Sequence, residues 1–288
     1  MTVNPPLVQS QIPVVTMAPP PGYTLHQFLP LDGLAATVDA ASVDVLIRHI
    51  VFRHGDQESV VENTLRLRFG AWENPADAQL TLDSSIDAAA WRDGSDVPFL
   101  ETHVLVGGDN SFSTIYGPSF YTVFDSATGK SFFNDNALKY ANYVVIDQIR
   151  AFGNWVEGYP ACAVDPAHDI DQSVLLINPH SRPAVVTLDF EGVDLKVRRR
   201  IAARSAQRVG FAALLPDDAF PWAGQCFVSG PNRVNLFFIS HSLADPADIT
   251  TAEHSEVYRG EDAYVPMAQR PLQRLYRWKR AAFNGLRR

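Results

Sequence analysis

The sequence lacks the marks of a disulfide-rich, metal-dependent or membrane-spanning protein. It has two cysteines, Cys162 and Cys226, which are too few for a disulfide framework or a four-cysteine zinc site. Two reduced, buried thiols are therefore favoured over a single bridge. No stretch approaches the roughly eighteen apolar residues that a membrane-spanning helix needs. The N-terminal segment has no basic residues followed by an apolar run, so no secretory signal is predicted, and the expected location is cytoplasmic.

Basic charge is scarce everywhere except at the C-terminus. The chain has 24 lysines and arginines against 32 acidic residues, a formal net charge of −8. Residues 270–288 hold seven of the basic residues and no acid, so the other 269 residues keep 17 basic residues against 32 acids, a charge of −15. Because nucleic-acid binding requires a basic footprint, an acidic body of this kind predicts no nucleic-acid partner.

Alternating apolar and polar residues predict a mainly β protein made of two antiparallel β-sandwich-like domains. The segment VDVLIRHIVF is apolar on both faces, which is typical of a central strand. In NTLRLRFGAW, Leu65, Leu67 and Phe69 alternate with polar residues, which predicts a half-buried strand. One internal helix is predicted for 136–153, where apolar residues repeat at steps of three and four and Asn136 can serve as the N-cap.

Composition divides the chain into four predicted parts. The first holds six prolines and is predicted to be an arm, either disordered or extended along a partner, because proline removes backbone donors. The second and third are an N-terminal β-rich domain and a C-terminal β-sandwich-like domain, separated by the polar segment VDPAHDIDQ. The fourth is a C-terminal amphipathic helix. The bounds of these parts are 1–24, 25–165, 172–258 and 259–288.

The third part contains short, evenly spaced strands, including those in INPHSRPAVVTLDF and VRRRIAARSAQRVGF, with turn motifs between them. At the level of pattern, residues 172–244 resemble immunoglobulin-like β-sandwich modules. The resemblance implies two packed antiparallel sheets. It departs from true immunoglobulin domains in two ways, because Cys162 precedes the module and Trp222 precedes Cys226.

The segment FDSATGKSFF contains Gly129, Lys130 and Ser131, which match the end of a phosphate-binding P-loop. That motif requires an earlier glycine at position 124, which is Phe124, so no nucleotide site is predicted. A β-hairpin fits better, with Asp125 capping the turn, Gly129 at positive φ and the Lys130 amine in solvent.

Histidines and acids cluster in SHSLADPADITTAEHSE, residues 240–256. His241, Glu253 and His254 are weak candidates for a divalent-metal site, but an ordinary turn followed by a solvated strand edge is favoured, and no cofactor is predicted. Glu101 and His103 alternate on one strand face without a third ligand nearby. No spacing of nucleophile and base predicts catalysis, so the chain is interpreted as a protein without enzymatic activity.

The C-terminal segment, residues 259–288, here named the tail, is the part of the sequence that most strongly indicates a binding partner. A basic amphipathic helix suits an anionic membrane surface or a protein partner, and packing on the acidic body of the same chain is the alternative. The predicted contact residues are Arg274, Tyr276, Arg277, Trp278, Lys279, Arg280 and Phe283.

The function hypothesis is a non-enzymatic β-sandwich binding or assembly protein, peripheral at a membrane surface or associated with envelope polysaccharide machinery. Aromatic residues between 112 and 155 would form a sugar-stacking surface if some were exposed, which makes carbohydrate a further candidate partner. The alternatives are a metal-dependent or carbohydrate-acting enzyme and a structural subunit of a larger assembly. The sequence leaves the oligomeric state open.

Overall fold

The computed structural model describes residues 7–10, 13–38, 40–95, 97–107, 120–135, 137–138, 155–230 and 234–255. Within these residues the protein is mainly β with antiparallel sheets, and that prediction is confirmed. The two described α-helices are short, α1 at Leu31–Thr37 and α2 at Ala88–Asp93. In the described part of the chain, no helix has the length and apolar character to cross a membrane.

Two sheets come from the N-terminal half. Sheet 1 has seven strands, in the spatial order β11 (Ala137–Leu138), β2 (Val14–Met17), β8 (Phe99–Gly107), β4 (Ser42–Arg53), β5 (Asp56–Arg68) and β6 (Ala71–Glu73), with β1 (Leu7–Ser10) paired to β8. Sheet 2 has four strands, in the order β10 (Ser131–Asp135), β9 (Tyr121–Ser126), β3 (Tyr23–Phe28) and β7 (Gln79–Asp83). The predicted central strand is confirmed, because β4 pairs on both sides, with β5 and β8.

Two further sheets come from the C-terminal half. Sheet 3 has the order β16 (Ser205–Gly210), β13 (Ile170–Asn178), β18 (Asn235–Ser242) and β19 (Ile249–Ser255). Sheet 4 has the order β12 (Trp155–Val164), β17 (Trp222–Gly230), β14 (Ala184–Phe190) and β15 (Lys196–Ile201).

Sheet 3 is a middle layer that is buried on both faces. Along β13 every residue from Asp171 to Asn178 is buried. Leu175 and Ile177 belong to the apolar core shared with sheets 1 and 2, whereas Val174 and Leu176 belong to the core shared with sheet 4. Because successive side chains of a strand point to opposite faces, one strand contributes to both cores and joins the two halves.

Strand β12 lies in sheet 4, although the sequence places residues up to 165 in the first domain. It pairs with β17 from Trp155 opposite Gly230 to Val164 opposite Trp222. A short 3-10 turn at Pro166–His168 then leads into β13. The polar segment predicted as a domain boundary is therefore the connection between two strands of facing sheets.

The predicted N-terminal arm is wrong for residues 14–17 and 23–24. Val15 and Met17 in β2 are fully buried, and β2 pairs with β8. Prolines flank VVTM without interrupting it, so the strand keeps the backbone donors that pairing needs. Residues 1–6 and 11–12 lie outside the described residues.

Two further predictions about single segments need correction. Ala137 and Leu138 are extended and pair with β2, so no helix begins at Asn136, and residues 139–154 lie outside the described residues. Phe69 does not follow Leu65 and Leu67 into the core. It lies in the turn between β5 and β6 at φ 52°, with 91% of its surface exposed, because β5 ends at Arg68.

Candidate functional site

The outer face of sheet 2 carries an unusual combination of exposed aromatic and polar side chains. Its inner face packs in the core, for example through Leu25, Phe124 and Phe132. The strand register places the alternate side chains on the outer face in three rows, which are Ser131–Asp125–Thr24–Asp83, Phe133–Val123–His26–Thr81 and Tyr121–Phe28–Gln79.

Two aromatic rings form the apolar part of the outer face of sheet 2. Tyr121 is 53% exposed and Phe133 is 51% exposed. Their ring centroids lie 6.3 Å apart with an angle of 39° between the planes. This exposed pair of rings offers a ligand an apolar surface, whereas most other large apolar side chains of the described residues lie in the cores.

Polar side chains lie beside these rings. Thr24 Oγ1 donates a hydrogen bond of 2.7 Å to Asp83 Oδ1, and Ser131 Oγ donates to Asp125 Oδ1. His26 Nδ1 lies 3.2 Å from Thr81 Oγ1, and its Nε2 lies 3.6 Å from Asp125 Oδ2. These contacts hold the carboxylates in place and leave them lone pairs for a ligand, since each carboxylate can accept several hydrogen bonds.

An open basin of about 490 Å³ lies at the polar end of this face. Its lining includes Thr24, His26, Asp83, Asp125 and Ser126. The basin has the volume of a small-molecule site, although it is open to solvent.

The hairpin between β9 and β10 forms one side of the basin. Gly129 has φ 82°, as the sequence predicts, but Ser126 rather than Asp125 caps the turn, since its Oγ accepts a 2.9 Å hydrogen bond from Lys130 N. The Lys130 side chain is 53% exposed, as the sequence predicts, and its amine also forms an ion pair with Asp248. The hairpin is thereby tied to the loop that precedes β19.

The structure does not bring the three metal candidates together. His241 is buried, and its Nε2 lies 3.1 Å from Arg208 Nη2. Glu253 accepts a 2.5 Å hydrogen bond from Tyr159. His254 lies next to Glu253 along β19 and therefore points to the opposite face, where its ring is 6.2 Å from that of Phe237. Among the described residues, no group of three or more histidine, cysteine or acidic side chains could hold a metal ion.

The other acids of this cluster, and the second histidine candidate, have structural partners. Asp245 Oδ1 accepts from Ala247 N at 3.1 Å, an ordinary turn contact. His103 Nε2 lies 2.6 Å from Glu101 Oε1, so this pair is joined directly. The predicted contact residues of the tail, Arg274, Tyr276, Arg277, Trp278, Lys279, Arg280 and Phe283, lie outside the described residues.

The sequence offers aromatic residues between 112 and 155 for a sugar-stacking surface but does not locate that surface on sheet 2, although one signal was available. Phe132 and Phe133 are adjacent in a predicted strand, so one of the two rings must point away from the core. The pattern alone does not say which one. Tyr121 and His26 join Phe133 only through the pairing of β9 with both β10 and β3.

No protein-family model matches the chain, and no curated protein matches it significantly. Among solved structures, the chain is similar, at 10% identity, to a lectin from Pleurotus ostreatus whose crystal structure contains GalNAc. The alignment covers 85% of this chain and 84% of the lectin, with a TM-score of 0.14. A similarity at this TM-score carries no argument about fold or ligand.

Proposed function

We propose that the protein is a non-enzymatic binding protein that holds a carbohydrate chain on the outer face of sheet 2. The observation that supports this most is the exposed pair Tyr121 and Phe133 beside a row of hydrogen-bonding side chains. Such a protein fits the broader hypothesis of a binding or assembly component of envelope polysaccharide machinery.

The chemistry of a sugar ring matches this arrangement. A pyranose has an apolar face of C–H groups and a rim of hydroxyl groups, so it packs on aromatic rings and hydrogen-bonds beside them. Tyr121 and Phe133 would take the C–H face. Asp125 and Asp83 would accept hydroxyl protons, and His26 could donate or accept according to its tautomer.

Charge narrows the class of carbohydrate. Among the described side chains of the three rows, Asp83 and Asp125 bear negative charge and none is lysine or arginine. The nearby amine of Lys130 is engaged with Asp248. Since like charges at an interface suppress binding, the face favours neutral or amino sugars over polymers of uronic acids.

A carbohydrate-acting enzyme is the second candidate, and one observation favours it. Asp125 and Asp83 flank Thr24 in one row, so two strand spacings separate their backbones by about 9–10 Å. Inverting glycosidases use carboxyl groups about 6.5–9.5 Å apart. Binding is preferred because Asp83 is exposed and Asp125 half-buried, whereas glycosidase carboxylates work in clefts that exclude water.

The test compares ring truncations with a matched control. Retention on immobilised neutral and amino-sugar polysaccharides, followed by calorimetry with oligosaccharides from the best binder, is measured for the wild type, Tyr121→Ala and Phe133→Ala. Truncating an aromatic contact at the centre of an interface costs about 1–2 kcal/mol or more, so each variant should bind roughly tenfold more weakly.

The control is Phe69→Ala, which removes a ring that is 91% exposed and lies in the turn between β5 and β6 of sheet 1. Its affinity should equal that of the wild type. Unchanged affinity in both sheet 2 variants would show that the face does not bind the saccharide. Release of reducing sugar from a bound polymer, abolished by Asp125→Asn, would instead establish the enzymatic candidate.

A peripheral position at an anionic membrane surface or on a protein partner remains part of the proposal, through the basic tail. The charge contrast between the tail and the acidic body supports it. A cytoplasmic location belongs to the same proposal.

A further inference from the structure

The seam between the two halves of the protein contains a cavity apart from the outer face of sheet 2. Helix α2 and the residues after it pack against the edge strand β16. Gly94 O accepts a 2.9 Å hydrogen bond from Arg208 N, and Val97 forms an isolated bridge with Ala206. Trp91 Nε1 donates a 2.8 Å bond to Pro246 O across the same seam. These contacts fix the walls of the cavity.

Arg208 is buried at the base of this seam and is 5% exposed. Its Nε donates to Ser173 Oγ at 3.1 Å, and its Nη1 donates to Trp91 O at 3.1 Å. Its Nη2 lies 3.1 Å from His241 Nε2. Because arginine is always a donor, His241 Nε2 must be the acceptor. The strand pattern of the sequence does not reveal this role of Arg208.

The protonation of His241 follows from its second nitrogen. His241 Nδ1 lies 2.8 Å from the carbonyl oxygen of Ser242, which can only accept, so Nδ1 carries the proton. The imidazole is therefore neutral. Burial, together with the charge of Arg208, lowers the pKa of His241 and keeps it in this form.

Asp171 is left with one carboxylate oxygen that lacks a donor. Its Oδ1 accepts from Gln172 N at 2.7 Å and from Ala212 N at 3.0 Å. Its Oδ2 lies 3.8 Å from His241 Nε2, which has no proton to give. No other described residue donates a hydrogen bond to Oδ2, although Asp171 is only 6% exposed. Asp171 lines the adjoining cavity, and Oδ2 keeps lone pairs that can accept a hydrogen bond from a ligand hydroxyl.

The cavity beside Asp171, here named the seam cleft, has a volume of about 310 Å³. This volume lies at the lower end of the range of about 300–1,000 Å³ for small-molecule sites. The charged residues that line it are three arginines and two aspartates, namely Arg92, Arg199, Arg208, Asp93 and Asp171. The excess of positive charge favours an anionic ligand. Of the three arginines, Arg199 points inward from the edge strand β15 and is half-buried.

We propose that the seam cleft binds a small hydroxy acid. The ligand hydroxyl donates to Asp171 Oδ2, and its carboxylate faces Arg199 and Arg92 at the rim. Arg208 contributes positive charge from beneath but keeps its own hydrogen bonds. The proposal rests on the cavity, the charges and the unfilled oxygen, and it is independent of carbohydrate binding on sheet 2.

The test uses L-malate, D-malate and succinate as probes, because succinate is malate without its hydroxyl group. Calorimetry measures affinity, and amide chemical shifts in labelled protein locate the site. The better malate enantiomer should bind at least about tenfold more tightly than succinate, since a site that hydrogen-bonds a hydroxyl discriminates against an analogue without one. The amide of Ala212, which is bonded to Asp171, should shift.

Two variants separate the roles of the groups. Asp171→Asn keeps an oxygen for the two backbone donors but replaces the charged acceptor by an amide NH₂, which can only donate to the ligand hydroxyl, so the preference for malate over succinate should fall. Arg199→Gln should weaken all three acids by about fivefold or more. Its matched control is Arg198→Gln, the adjacent exposed residue of β15, which should leave affinity unchanged.

The outcomes decide the proposal in either direction. Equal affinity for malate and succinate, no saturable binding of any of the three acids, or equal effects of Arg199→Gln and Arg198→Gln would overturn it. If Asp171→Asn fails to fold, the arginine pair and the malate–succinate comparison in the wild type still decide it.

Discussion

Acid should destabilise this protein through His49, a residue buried between sheets 1 and 2. His49 is 4% exposed, and its Nδ1 lies 3.0 Å from Thr102 Oγ1. Thr102 donates its only hydroxyl proton to Gln27 Oε1 at 3.1 Å, so Thr102 must accept from Nδ1–H. The second nitrogen then carries a lone pair, and the ring of Phe120 packs edge to face with the imidazole at a centroid distance of 6.4 Å. Protonation of His49 would place a positive charge in the core, where water cannot solvate it.

The size and sign of the effect follow from linkage. Burial lowers the pKa of His49 from 6.5 to about 4. Because the folded pKa lies below the unfolded one, the unfolded chain binds more protons between these values, and stability is lost as pH falls below about 6.5. Because the folded and unfolded pKa values differ by about 2.5, the free energy of unfolding falls by about 3 kcal/mol between pH 7 and pH 4. About 2 kcal/mol of this is already lost at pH 5.

Urea unfolding at pH 7 and pH 5 measures this loss. His49→Gln keeps a polar side chain beside Thr102 without a titrating group, so its stability should fall about 2 kcal/mol less than that of the wild type between the two pH values. His54→Gln, at an exposed turn, is the control and should keep the wild-type pH dependence. The carboxylates contribute equally to the pH dependence of stability in all three proteins, so their contribution cancels in the comparison. Parallel pH profiles for the wild type and His49→Gln would refute the reasoning.

Two further predictions concern the cysteines and the tail. Cys162 and Cys226 are free and buried, and burial raises the pKa of Cys162 to about 12 and raises that of Cys226 as well. A thiol reagent at pH 8 should therefore titrate neither thiol in the native protein and both in urea, because the thiolate is the reactive form; rapid native labelling would contradict this. For the tail, the full chain should float with anionic vesicles and a variant ending at Glu261 should not. Equal flotation of the two proteins would remove the membrane proposal.

The sequence predicted features that depend on neighbouring residues and missed those that depend on distant ones. The central position of β4 follows from its apolar faces, and the burial of Leu65 and Leu67 from the period-two pattern of a single strand. The burial of Arg208 does not, because its bond to the Trp91 carbonyl joins residues 117 apart in the chain. The same reasoning explains the arm. The number of prolines in residues 1–24 predicts an arm, but VVTM itself contains no proline and keeps its backbone donors. Its pairing with β8, a strand distant in the chain, is not visible in the local composition.

The two proposed sites are connected through the loop between β18 and β19. At one end of this loop, Asp248 holds Lys130 and thereby the hairpin beside the carbohydrate face. Within the same loop, Pro246 accepts the indole N–H of Trp91 and lines the seam cleft. The loop therefore both lines the cleft and forms an ion pair with the hairpin. If binding at one site changed affinity at the other through this loop, the change would have to be equal in both directions, so titrating malate in the presence and absence of the saccharide measures any coupling.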